Sequence, residues 1–275
     1  MRPGSAYTRS AKASVRASYF DSAYADSIPE KRYAIASCHV ERPLDDTVWQ
    51  AFERLQEERP GGFAIAALLR PPDPDEDEDP ERWIARAFAA AGRGPLGHHT
   101  HFGGASRAWP TGPGAVDRFR REAEWLEQAG LAPTLYCGGG WYMDTELAGE
   151  LAARGYADSS ATRFPLPWRR PGDPQMTLDR PAWLTMGDGL RLLELPLTRS
   201  LGSLWRGMVR PSGLDEPVLH VCFHDWELAD ARRRAAVRAG LRLLARRRTP
   251  TDVDTLRISL VNAPELPLAH VLASA

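Results

Sequence analysis

Cysteine is scarce in this chain, and an excess of charge of one sign and long apolar runs are missing altogether. The three cysteines, Cys38, Cys137 and Cys222, stand too far apart for a disulfide framework, and no CxxC pair offers a redox or zinc-ribbon motif. With 35 basic residues against 36 acidic ones, the chain has no whole-molecule attraction to nucleic acid or to an anionic membrane. No stretch approaches the roughly eighteen apolar residues of a membrane span. Met1–Ser27 is basic and rich in Ala and Ser, without the apolar segment of a secretory signal. These absences predict no nucleic-acid partner, no membrane and a cytoplasmic location. No GxGxxG follows a strand-like run, and Gly138-Gly139-Gly140 leads straight into bulky Trp141, which argues against a dinucleotide site.

What is present is enough apolar material for a sizeable core, 43% of 275 residues, in a length that α/β barrels reach as one domain. Residues 1–30 show no period and read as a tail or a lid; 31–275 read as a single domain. Tyr33–Val40 and Phe63–Leu69 have the composition of buried strands, and Asp45–Arg59 carries a helical stripe of Val48, Trp49, Phe52 and Leu55. The acidic, proline-punctuated run from Pro71 to Glu81 reads as a solvated connection. Trp83–Ala91 reads as a helix. Ala115–Gly130 reads as a helix stopped by its glycine, Leu131–Cys137 as a strand, and Thr145–Gly155 as a helix capped by Asp144. Ala157–Thr162, Leu190–Leu197 and Val218–Phe223 are strand-like, and Arg163–Gly189 is irregular, with Arg163, Trp168, Arg169 and Arg170 available to a polar ligand. Leu228–Arg248 reads as one long helix, basic outside and striped by Val237, Leu241 and Leu244, and Arg257–Val261 as a last strand. Strands alternating with helices predict parallel pairing, in an open sheet or a barrel.

The residues suited to chemistry gather where strands end, as they do in barrel enzymes. Three of the seven histidines lie within Gly97-His98-His99-Thr100-His101. In an extended run His99 and His101 share one face and His98 and Thr100 the other. Upstream, Ser37-Cys38-His39-Val40-Glu41 ends in a second alternating pair, His39 and Glu41. Two strand ends that each offer two ligand-type side chains suit a divalent metal. Val218–Glu227 delivers His224 and Asp225, fitted to a general acid and its orienting carboxylate, with Trp226 as a wall or a packing residue.

These stretches together resemble the polysaccharide deacetylase (NodB-homology) family. Leu96–His101 is similar to its metal-binding histidine motif, Tyr136–Asp144 and Gly155–Ser160 to its groove wall and the step after it, Phe223-His224-Asp225 to its late histidine motif, and Ser37–Glu41 to its acidic pair. The resemblance implies an incomplete or distorted (β/α)7 barrel of the TIM-like kind and a divalent metal, zinc or a relative, held by Glu41, His99 and His101. It implies hydrolysis of an acyl group from an N-acylated small-molecule or oligosaccharide substrate, with Gly139, Gly140, Trp141 and Tyr142 in the groove wall; Arg163 and Trp226 are further candidate substrate contacts by residue type. It departs from the family twice. His39 stands where the family has its base Asp, and the second histidine follows the first by two residues instead of four. His39 is then either the base or a fourth ligand that closes the site. A carbohydrate-binding barrel without catalysis, and a hydrolase of non-sugar amide or ureide bonds, are the other functions compatible with this pattern.

Overall fold

The computed structural model describes residues 32–110, 113–163, 166, 174–187, 189–208 and 216–273. The tail or lid expected over 1–30 lies outside these residues, as do Trp168, Arg169 and Arg170. The strands are β1 (Tyr33–Val40), β2 (Ala66–Leu69), β3 (Leu96–Thr100), β4 (Leu135–Gly138), β5 (Ala157–Asp158), β6 (Gln175–Met176), β7 (Ala182–Thr185), β8 (Arg191–Glu194), β9 (Arg199–Ser200), β10 (Val218–His224), β11 (Thr249–Pro250) and β12 (Glu265–Pro267). The helices are α1 (Asp46–Glu58), α2 (Pro80–Ala91), α3 (Ala115–Gln128), α4 (Thr145–Ala153), α5 (Leu201–Met208), α6 (Asp225–Ala229), α7 (Ala231–Ala245) and α8 (Val253–Ser259). The main sheet runs β12-β7-β8-β5-β4-β3-β2-β1-β10-β9, all parallel except the β7–β8 pair. This is the α/β architecture with mainly parallel strands that the alternation predicts. The stretch after β8 touches both flanks of the sheet, because Leu195 and Leu197 donate N–H to the carbonyls of Asp158 and Ala161 while Thr198 donates to His220. Among the described residues no helix is long and apolar enough to cross a membrane.

Period-two alternation along β1 decides what the site is built on. Ala34, Ala36, Cys38 and Val40 pack outward with Trp49, Phe52 and Leu55 of α1 and Val237, Leu241 and Leu244 of α7. Ile35 packs inward with Leu68, Leu135, Cys137, Ala157 and Leu193. Fully buried Phe52 alone contributes roughly 1.5–3 kcal/mol to holding that layer. The Asp45 carboxylate accepts N–H bonds from Thr47 and Val48, so α1 starts where an N-cap belongs. Parallel register then sets His39 beside His224 and His99 beside Cys137.

The acidic loop is largely the exposed connection expected, with Asp75, Glu76, Asp77, Asp79 and Glu81 all exposed. It is anchored at two points: Asp73, 2% exposed, takes Arg118 at 3.1 Å, and Glu78 ion-pairs with Arg70. Three expectations need correction. Arg163–Gly189 contains β6 and β7. The long basic helix is two, since Asp230 caps α7 through the N–H groups of Arg232 and Arg233 and ends α6. Arg257–Val261 is no strand: Asp252 caps α8, whose Val253, Leu256 and the following Leu260 bury a helical stripe, and the last strand of the main sheet is β12.

On the outward face, Asp158 and Glu194 stand opposite each other on β5 and β8, both fully buried. Burial raises both carboxyls, and the Asp158 charge pushes Glu194 well above the carboxylate range. A carboxyl raised in the folded state favours folding at low pH, and that contribution is lost as pH rises through the folded value. The protein is therefore expected to melt lower at pH 8 than at pH 5. Glu194→Gln, which removes one charge of the pair, should melt higher than wild type at pH 8, by about 2–4 °C for each kcal/mol gained. Thermal denaturation at the two pH values checks both.

Candidate metal centre

Glu41 follows β1, His99 lies on β3, His101 follows it, and His224 ends β10. The structure brings these four together. His99 Nε2 and His101 Nε2 are 3.2 Å apart, and Glu41 Oε1 lies 3.9 Å from the first, 3.6 Å from the second and 3.7 Å from His224 Nε2. His98 faces the other way, as alternation requires, and binds Glu122 of α3 at 2.8 Å.

The backbone fixes which nitrogens are free. His99 Nδ1 donates to the Cys137 carbonyl at 2.8 Å, and His101 Nδ1 to the Ala105 carbonyl at 2.9 Å. A carbonyl only accepts, so each Nδ1 carries a proton, and a ring with no second proton presents a bare Nε2 lone pair. Two lone pairs that face each other at 3.2 Å repel unless a positive charge sits between them. A proton needs only these two nitrogens. A cation also uses the nearby carboxylate, and Glu41, His99 and His101 form a group able to hold one. Backbone carbonyls behind ligand imidazoles are the usual support of such sites.

The surrounding field agrees. Burial works against the Glu41 charge, but the His101 and His99 side chains overcome it and hold the carboxyl well below its usual range. Burial lowers His99, against the pull of Glu41. His39 is 2% exposed, and burial together with the His99 and His224 rings keeps its imidazole neutral far below the usual histidine range. Its ring lies 4.5 Å from His99 and 5.0 Å from His224, and its Nε2 is buried without a hydrogen-bond partner among the described residues. His224 goes the other way. Burial lowers it, but Glu227 and Glu41 more than compensate and raise it.

Asp225 was expected to orient His224, and the structure gives that place to Glu227, whose Oε2 is 3.8 Å from His224 Nδ1. The Asp225 oxygens are taken by the backbone N–H groups of Arg42 at 2.8 Å and Trp226 at 2.7 Å. They tie the end of β1 to the end of β10. Burial raises this carboxyl to about 6.

Of the expected groove residues, Gly139, Gly140 and Trp141 form a tight turn after β4, with Gly140 and Trp141 both at φ 62°. A Cβ on Gly139 would collide with the carbonyls of Ala108 and Thr100, so only glycine fits there. Trp141 stands over His39 at 5.7 Å, and Tyr142 packs on Phe102 and Trp109 while its hydroxyl donates to Asp144 at 2.6 Å. Trp226 stacks on His224 at 5.3 Å. Arg163 is engaged by Glu216, which also holds Arg199. Glu41 and His101 open on a cleft of about 510 Å3 that Arg42, Arg70 and Ser106 also line. Sequence reasoning missed Glu227, although its spacing of three from His224 is that of the capping box the two residues form. It also missed Cys137, which sits on the inward parity of β4.

No family model matches the chain, and no curated protein matches its sequence. Solved structures match its fold. A protein described as a polysaccharide deacetylase from Mycobacterium smegmatis aligns with TM-score 0.54 at 18% identity, over 88% of this chain and 91% of that one. The 4-alpha-glucanotransferase from Thermococcus litoralis aligns with TM-score 0.51 at 13% identity, over 88% of this chain and 40% of that one. At such identities the likeness is one of fold, and two neighbours with different chemistry show why fold alone does not assign a reaction.

If the facing imidazoles hold a cation, removing the one nearest Cys137 removes the site. Isothermal titration of the metal-stripped protein with Zn2+ is expected to show binding that weakens by at least roughly tenfold in His99→Ala. Equal affinity in the two proteins would refute the assignment.

Proposed function

We propose that this protein is a metal-dependent hydrolase that removes an acyl group, most simply acetyl, from an N-acylated sugar or a related small amide. The observation that carries the reading is the meeting of Glu41, His99, His101 and His224 from three strand ends, with Glu41 and His101 lining one cleft. We read the sheet as a (β/α)7-type barrel completed through residues 195–198, and the described deacetylase of related fold supports this.

Glu41, His99 and His101 would hold the divalent cation, zinc or a relative. When bound it would supply polarisation of the acyl carbonyl and an acidified water. The chain's own groups supply the rest. The backbone carbonyls of Cys137 and Ala105 keep both imidazoles in the ligating tautomer. His224, held between Glu41 and Glu227 with a raised affinity for protons, presents Nε2 toward Glu41 and would deliver a proton from it to the departing amine. Asp225 sets the distance between that acid and the carboxylate by joining their two loops. Partly exposed Tyr142 and Trp226 offer flat apolar faces to a sugar ring. Neutral His39 is chemically able to accept a proton, but it lies beneath Trp141 and away from the open cleft.

The test is acetate release from N-acetylglucosamine oligomers by the metal-loaded protein. Glu41→Ala and His99→Ala should abolish it, and His224→Gln should lower kcat by about 10²–10⁴. Full activity in both Glu41→Ala and His99→Ala would sink the reading. Glycan binding without turnover in the wild-type protein would indicate a binding module instead, and release from simple amides alone would move the substrate away from sugars.

A further inference from the structure

Behind the outer set lies a second group of donors that the hydrolytic reading does not use. We propose that His39, His99 and Cys137 form an inner cation position, closed to solvent and selective for thiophilic ions such as zinc, cobalt or cadmium. The inference shares His99 with the proposed hydrolase but does not depend on its activity.

Each of the three offers one ligand atom, and these atoms all lie within 4.8 Å of one another. A tetrahedral zinc bound to nitrogen and sulfur sets its ligand atoms roughly 3.3–3.8 Å apart, so modest side-chain rotation closes the set. Two observations beyond proximity point to an occupant. His39 Nε2 is fully buried with no partner among the described residues, and an imidazole nitrogen stranded in this way needs a reason. Among the described residues the Cys137 thiol, also fully buried, reaches only the carbonyls of Gly138 and Ser159 at 3.7 and 3.6 Å, weak contacts that a metal–sulfur bond would outweigh.

The chemistry of the donors separates the two positions. The outer set has a carboxylate and opens on the cleft, which suits a borderline cation with room for water and substrate. The inner set replaces the carboxylate with sulfur and is roofed by Trp141, 9% exposed and 5.7 Å from His39. Soft ligands select soft ions. On binding, the cation takes the Cys137 sulfur and the thiol proton leaves to solvent. His99 Nδ1 is committed to the Cys137 carbonyl, which leaves Nε2 for one cation at a time. One equivalent per chain is the expected stoichiometry.

Titrating the metal-free full-length protein with CoCl2 and following the near-ultraviolet thiolate-to-cobalt charge-transfer band tests this. The wild type should develop the band and saturate at one equivalent. Glu41→Gln and the double variant Cys38→Ala/Cys222→Ala should retain it, Cys137→Ser should lose it, and His39→Phe should bind cobalt at least about tenfold more weakly. Absence of the band in wild type, its survival in Cys137→Ser, or its loss in Glu41→Gln would overturn the proposal. If Cys137→Ser fails to fold by circular dichroism, His39→Phe decides, and unchanged cobalt affinity there is equally fatal. Because His99 serves one cation at a time, the two sets are alternative positions of a single ion; acetate release reports the outer one and the sulfur band the inner one, so the failure of either reading is seen separately.

Discussion

Two imidazole lone pairs aimed at each other across 3.2 Å are the constraint around which the rest of this structure is arranged. Each ring is locked by a backbone carbonyl behind it, so neither can relieve the repulsion by changing tautomer. Such a contact persists only if something positive occupies it or if the surrounding fold overdetermines it. Here the fold does overdetermine it. His99 is fixed by β3, and Ala105 reaches His101 from a loop that is itself pinned, since Phe102 donates to Ala108 and Gly103 to Arg107. A pre-formed, electron-rich pocket of this kind has its ordering entropy spent at folding and not at binding.

Electrostatics then divide the labour among groups that differ little in the bare sequence. His39, His99 and His224 lie close together, yet burial drives the first two toward neutrality while Glu227 and Glu41 raise the third's affinity for protons. Rings of the same chemistry come to differ in proton affinity according to what stands behind them. Fold likeness adds only the frame. A deacetylase-described protein and a glucanotransferase share that frame with this chain, so its reaction has to be argued from the donors.

Much of this frame was legible from residue pattern. β1, β10, α1 and α3 were visible because apolar spacing, an Asp cap or a stopping glycine marked each of them. The shared face of His99 and His101 followed from alternation alone. The failures have local causes. α8 hid because Arg257–Val261 is rich in strand-favouring Ile and Val, while the residues that set its period, Val253 and Leu256, fall earlier. The anchors of the acidic loop stay hidden because charge density says nothing about partners far away in sequence, and Arg118 is 45 residues from Asp73. Adjacency in sequence pairs Asp225 with His224, although an Asp at the start of a helix serves backbone N–H groups before side chains.

The carboxyl of Asp225 has a consequence for any attempt to rebuild this molecule. It answers one N–H from the loop after β1 and one from the start of α6, and so pins together two stretches 183 residues apart in sequence. Loop grafting would therefore have to exchange both stretches as a matched cassette. A transplant of either one by itself would strand an amide or a carboxylate in the interior and let His224 and Glu41 slide out of step.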